Sequence, residues 1–148
     1  MQIISPDLIA HIGKKITLIG MAAETVRTAR ASGTTPALRS ARENLDASEA
    51  DYDLALCDLD DVQLAWVETL FADALTLARA GHGGYTEAVY LAQVKWSDDQ
   101  IRELEIITAE LKDARTEWVQ AAMSYEVSAY QIAKTCGRSP STVQRWVK

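Results

Sequence analysis

The residues whose types and spacing point to chemistry crowd into the end of the chain, SAYQIAKTCGRSPSTVQRWVK at 128–148. Four cations stand there, Lys134, Arg138, Arg145 and Lys148, with no acid among them. Around them lie the hydroxyls of Ser139, Ser141 and Thr142 and the amide of Gln144. Cations neutralise phosphates, and hydroxyls hydrogen-bond phosphate oxygens. Arg and Gln make the bidentate contacts that distinguish guanine from adenine. The chemistry on offer is recognition of a polyanion, with no bond made or broken. The competing reading of the same residues is a solvated polar face on a small helical bundle that meets other proteins.

Elsewhere the chemistry is thin. His11 and His82 have no Cys or carboxylate neighbours at metal-ligand spacing. Asp58, Asp60 and Asp61 lack the Gly and downstream Glu of a calcium loop. Cys57 and Cys136 lie far apart among apolar neighbours, which predicts two buried free thiols and no disulfide. No nucleophile–base pair or phosphate loop is present. The expectation is a non-enzymatic protein without metal or cofactor. Trp66, Trp96 and Trp118 are expected to pack between helices.

Charge is unevenly spread. The chain has 15 basic and 21 acidic residues, a net of −6. The 4 basic residues from Val127 onward leave 11 basic against 21 acidic residues in 1–126, a net of −10. A basic end on an acidic body implies a local polyanion-binding surface, with the acidic body free to take a basic protein partner. No run reaches the eighteen or more apolar residues of a membrane span. The N-terminal MQIISPDLIAHIGKK places its lysines after its apolar residues, the reverse of a secretory signal. The expected setting is the cytoplasm, away from membranes.

The elements that must position the basic end read as helices. Hydrophobic residues make up 48% of the chain and aromatics only 7%, with three Pro, seven Gly and abundant Ala, which favours an all-α fold. Ser5-Pro6-Asp7 is a helix start. Ile9, Ile12, Ile16, Ile19, Ala23 and Val26 then alternate three and four residues apart, a heptad seam. Gly13 and Gly20 fall off that stripe and weaken the helix. Ala-Ser-Gly-Thr-Thr-Pro at 31–36 ends it, and Thr35 caps a second helix. Leu38, Ala41, Leu45, Ser48, Tyr52, Ala55, Leu59, Val62 and Trp66 repeat the rhythm, and no Pro or Gly interrupts 37–80. A break near Asp58–Asp61 stays open. The short link implies an antiparallel hairpin over 1–80. With Leu54, Leu56, Val67 and Phe71 left uncovered, that hairpin is expected to carry self-association.

Gly81-His82-Gly83-Gly84 reads as a flexible joint, followed by a short helix over 86–95. Ser97 with Gln100 reads as a capping box that opens a long helix, whose stripe is Leu104, Ile107, Leu111, Ala114, Trp118, Ala121 and Tyr125. Ser128 with Gln131 is another box, Gly137 ends that helix, and Ser139-Pro140 starts the last one. Two short helices around a glycine turn need a small residue at their crossing, and Ala133 supplies it. Ile132, Cys136, Val143 and Trp146 are assigned to the inner face. Trp118 and Ala122 on the preceding helix are expected to close a three-helix core.

Ile132-Ala133, Gly137, Ser139, Thr142-Val143 and Arg145-Trp146 resemble the ending of helix-turn-helix DNA-binding domains of the homeodomain-like or resolvase type, found in many small bacterial and phage proteins. The resemblance covers residues from about 113 to 148. One departure is Arg138, where the pattern often has an apolar residue. The resemblance implies a recognition helix in the major groove. Arg145 would face guanine and Gln144 adenine. Ser139, Ser141 and Thr142 would meet phosphate oxygens, and Lys134, Arg138 and Lys148 phosphates as charges.

The reading that follows is a sequence-specific binder of double-stranded DNA, oligomeric and most simply a dimer. It would have a coiled-coil hairpin over 1–80, a joint over 81–97, and a long helix entering the helix-turn-helix over 98–148. Transcription control is one role; packaging, replication or segregation of phage DNA are others. The alternative is a helical scaffold or adaptor for a basic partner.

Overall fold

The computed structural model describes residues 4–148. Among them lie seven α-helices and no strand: α1 (Pro6–Ser32), α2 (Thr35–Leu56), α3 (Asp61–Leu70), α4 (Ala72–Ala80), α5 (Tyr85–Ser124), α6 (Ala129–Cys136) and α7 (Pro140–Trp146). The protein is all-α. It divides into two compact units, one up to Asp98 and one from Asp99 to Lys148, with the boundary inside α5.

The N-terminal unit is built on α1. Ser5 caps it by accepting the Asp7 N–H at 3.2 Å, and Gly33 ends it with φ 73°. Ile9, Ile12, Ile16, Ile19, Ala23 and Val26 are all buried, so the heptad stripe is filled within one chain. α1 packs against α2 and α4. Thr34, one residue before the expected cap, precedes α2 and makes no side-chain cap bond.

The stretch 37–80 is three helices. α2 stops at Cys57, and Asp60 with Gln63 forms a reciprocal capping box that starts α3. Phe71, fully buried, marks the step from α3 to α4. These bends wrap α3 and α4 onto the same core, which holds Tyr52, Leu56, Val67, Phe71 and Ala74 together with Tyr85, Val89 and Trp96 of α5. The expected uncovered surface therefore changes. Leu56, Val67 and Phe71 are buried, and of the four only Leu54 faces solvent. The apolar argument for self-association through 1–80 falls with them.

Gly13 and Gly20 are close-approach sites. A Cβ at Gly20 would lie 2.6 Å from the Tyr85 ring, and one at Gly13 would lie 2.9 Å from Val89 Cγ1. Helix α5 begins in the notch they leave, and that contact offsets their poor helix propensity.

The glycine joint is pinned. Gly81 sits at φ 65° against the Ala23 backbone, where a Cβ would come within 2.9 Å. Arg27 Nη1 donates to the Gly81 carbonyl at 2.7 Å and to His82 Nδ1 at 3.0 Å. Ser97 caps nothing. It lies inside α5, and its hydroxyl donates to the Gln93 carbonyl at 2.8 Å, the back-bond of a mid-helix serine. The short helix over 86–95 and the long one after it are one helix of 40 residues.

Candidate nucleic-acid interface

The C-terminal unit is made from the end of α5 with α6 and α7. α5 terminates where the Val127 N–H reaches the Ala122 carbonyl at 3.1 Å and the Glu126 N–H reaches that of Met123 at 3.0 Å. This is a Schellman ending, and it puts Glu126 at φ 68°. Ser128 and Gln131 form the expected reciprocal box at the start of α6, at 3.2 and 3.0 Å. α6 closes with a second Schellman ending. Gly137 takes φ 65°, and the Arg138 N–H reaches the Ala133 carbonyl at 2.8 Å. Ser139 then caps α7 by accepting the Thr142 N–H at 3.3 Å. Two short helices around a glycine turn follow from four local signals in order.

The core of this unit is small. Val119, Ala133 and Val143 are buried, with Met123, Ala129, Ile132, Trp146 and Val147 packed around them. Val143 projects back from α7 and Ala133 gives it room, as their sizes predict. Two assignments change. Trp118 faces solvent, and its neighbour Val119 takes the core position from α5. Cys136 and Cys57 are both exposed free thiols. A further tie joins α5 to the end of α7. Thr116 Oγ1 donates to the Trp146 carbonyl at 2.8 Å, and the Arg115 guanidinium lies 4.1 Å over the Trp146 ring. Cation–π attraction of this kind is worth about 0.5–1 kcal/mol or more. Arg115 escaped the sequence reading because its partner is 31 residues away.

The basic side chains are open to solvent: Lys134 on α6, Arg138 in the turn, Arg145 on α7 and Lys148 beyond it. Ser139, Ser141 and Gln144 are exposed too, and Thr142 is half-buried. The hydroxyls are linked. Ser139 Oγ lies 2.8 Å from Thr142 Oγ1 and 3.0 Å from Ser141 Oγ, and Arg145 Nη2 donates to Thr142 Oγ1 at 3.1 Å. This network holds Arg145 against its own helix, one turn from the cap. Across α7, Val143 points into the core while Gln144 and Arg145 point out. After Glu126 no acid interrupts this surface.

The remaining candidates do not assemble. His11 is exposed on α1, and His82 accepts from Arg27. Asp60 serves as a helix cap. Among the described residues no three His, Cys, Asp or Glu side chains stand together as metal ligands, and no helix is long and apolar enough to cross a membrane. One cleft in the N-terminal unit went unforeseen. Tyr52, Asp53, Leu56, Glu68, Leu75 and Arg79 are among its lining residues, and Arg79 pairs with Glu49 through two bonds of 3.0 and 3.1 Å.

Compared with protein-family models, curated proteins and solved structures, the chain matches none.

Proposed function

We propose that the C-terminal unit is a helix-turn-helix module that binds double-stranded DNA, and that the protein is a non-enzymatic DNA-binding regulator. One observation carries this reading. Four cations project from α6, the turn, α7 and the residues just after it, and no acid lies among them on a chain that is acidic elsewhere. α7 would lie in the major groove with Gln144 and Arg145 at base edges, since they stand opposite the buried Val143. Lys134, Arg138 and Lys148 would neutralise phosphates, and Ser139, Ser141 and Thr142 would meet phosphate oxygens. Four cations give only a few phosphate contacts, so affinity gains from two modules acting together.

Gel shift of the full chain on random DNA at two salt concentrations tests the reading. A shift that weakens steeply with salt is expected, and no shift at low salt sinks it. After site selection, Arg145→Ala should cost about 1–3 kcal/mol and relax preference at one base pair. Lys148→Ala should weaken all sequences alike.

A second reading has an observation of its own. Residues 43–61 hold eight acids and no base. Seven of these acids are exposed and Glu49 is half-buried. That surface suits a basic partner protein. An adaptor of this kind shows no salt-sensitive DNA shift.

A further inference from the structure

We propose that the apolar stripe of α5 from Leu104 to Tyr125 is covered by the same stripe of a second copy of this chain, in parallel register. Leu104, Leu111, Trp118 and Tyr125 are 42%, 60%, 69% and 84% exposed. Ile107 and Ala114 are half-buried between them, and Ala121 is exposed. Spacing of three and four averages to 3.5 and keeps all seven residues on one face over three heptads. The unit's own core does not use that face. Val119 points to Ala133 and Val143, and one residue is a turn of about 100° around the helix.

A neighbouring frame shares Leu104, Leu111, Trp118 and Tyr125 but fills the other seam positions with Ile101, Thr108, Arg115 and Ala122. It would bury a hydroxyl and a guanidinium, and Arg115 is already stacked on Trp146. The Ile107–Ala114–Ala121 frame has no polar residue in the seam. Two small layers, Ala114 and Ala121, flank the Trp118 layer and leave room for a pair of indoles.

The edges of the stripe identify the occupant. Glu103, Glu110 and Glu117 run along one edge at heptad spacing, and Thr108, Arg115 and Ala122 along the other. In a parallel pair each acidic edge faces the other helix's second edge, which brings Glu110 to the partner's Arg115. In an antiparallel pair glutamates face glutamates and Arg115 faces Arg115. Arg115 makes no ion pair among the described residues, and its buried Nε has no hydrogen-bond partner there. One helix thus carries both halves of a complementary pattern, as a contact between like chains requires. The area suffices. At about 150–250 Å² per large aromatic, the exposed parts of Trp118 and Tyr125 offer roughly 250–350 Å² per chain. With the Leu104, Ile107 and Leu111 layers, two chains approach the about 1,200 Å² of a specific interface.

The contact does not depend on DNA, although a parallel pair would carry two C-terminal helix pairs at the same end. Light scattering on the full chain at micromolar concentration, without DNA, should give the mass of two chains. Leu111→Glu with Trp118→Glu should give the mass of one chain with an unchanged far-ultraviolet spectrum, because both side chains are exposed. For register, Ala114→Cys is placed in a chain carrying Cys57→Ser and Cys136→Ser. Mild oxidation should then link two copies through residue 114. A single-chain mass for the wild type, or a two-chain mass kept by the double glutamate variant, overturns the proposal. A two-chain mass without the residue-114 link overturns the parallel register. A two-chain protein that shifts no DNA sinks the DNA-binding reading and leaves this one standing.

Discussion

Two stripes with the same three-four rhythm end in opposite surroundings. On α1, Ile9 to Val26 is buried from end to end by helices of the same chain. On α5, Leu104, Leu111, Trp118 and Tyr125 stay in solvent. The residue types differ with the outcome. The α1 stripe is mostly Ile, whose branched side chain is stiff and packs against fixed neighbours. The α5 stripe mixes Leu, Ile, Ala, Trp and Tyr and carries a regular acidic edge. α1 is sealed by α2, α4 and the start of α5, whereas the C-terminal unit has two short helices, both spent on Val119. Periodicity therefore marks a face able to pack, and the supply of helices in the same unit decides whether it is covered from within.

The sharpest test strikes the sealed stripe. Ile16 is fully buried, and Ile16→Glu would place a carboxylate there without a partner. The cost is several kcal/mol, enough to unfold a unit of this size. Helical signal from α1–α4 should be lost, while the Trp146 indole resonance, which reports the C-terminal unit, should remain. Loss of both signals together would show that the two units fold as one.

The small core of the C-terminal unit gives the next effect. Ala133 is buried where α6 meets Val119 and Val143. Ala133→Leu adds three carbons to a close-packed site, at a cost of about 1–3 kcal/mol. Calorimetry should show the C-terminal unit melting earlier and the N-terminal unit unchanged. If the wild type binds DNA as proposed, binding fully kept by this variant would contradict the arrangement of α6 and α7.

Much of this architecture is legible in the residues, and the gaps have physical causes. Helix caps and αL turns are local, so Ser5, Ser128–Gln131, Gly137 and Ser139 can be read directly. Asp60–Gln63 is equally local, and its capping box explains the break after Cys57. Ser97 shows the limit of such signals. The same Ser-x-x-Gln pattern lies inside α5 because the helix continues through it, and the hydroxyl back-bonds. Tertiary roles are less legible. Gly13 and Gly20 read as weak points until Tyr85 and Val89 fill the space above them. Trp118 and Val119 are both apolar neighbours, and spacing alone favoured the wrong one for the core. For the basic face, residue types located the cations, while the Arg115–Trp146 contact needed the fold.

Glu126 offers a smaller, opposite effect. Helices α5 and α6 end in the same Schellman geometry, but the left-handed residue is Glu126 in one and Gly137 in the other. A side chain in that conformation costs roughly 1–2 kcal/mol, part of which glycine gives back through its freer unfolded chain. Glu126→Gly should stabilise the C-terminal unit by about 1 kcal/mol, read as a higher urea midpoint for the Trp146 signal. It also removes the last acid before the basic end, so the DNA binding proposed for this unit should tighten slightly. A destabilised variant would show that the Glu126 side chain holds a contact that outweighs its strain.

The smallest expected change probes the sealed unit at a polar flaw in its core. Tyr52 is buried in the N-terminal core, and its hydroxyl has no hydrogen-bond partner among the described residues. A hydroxyl left unpaired gains nothing from burial, so Tyr52→Phe removes a cost while keeping the ring packing. The change should be neutral or stabilising by less than about 1 kcal/mol at pH 7. Alkaline pH separates the two chains further. Burial, against a smaller opposing pull from Arg79, raises the Tyr52 pKa above the ordinary 10.0. A group with a raised folded-state pKa keeps its full stabilising contribution below the unfolded value and loses it as pH rises through the folded one. Wild type should therefore lose stability from about pH 10 upward as the unfolded tyrosine ionises first. Tyr52→Phe should lose less over the same interval. Urea midpoints at pH 7 and pH 10.5 measure both. A clear loss of stability at pH 7 would mean that the hydroxyl is bonded in solution, and that the core around α1 is closed by a polar contact as well as by its isoleucines.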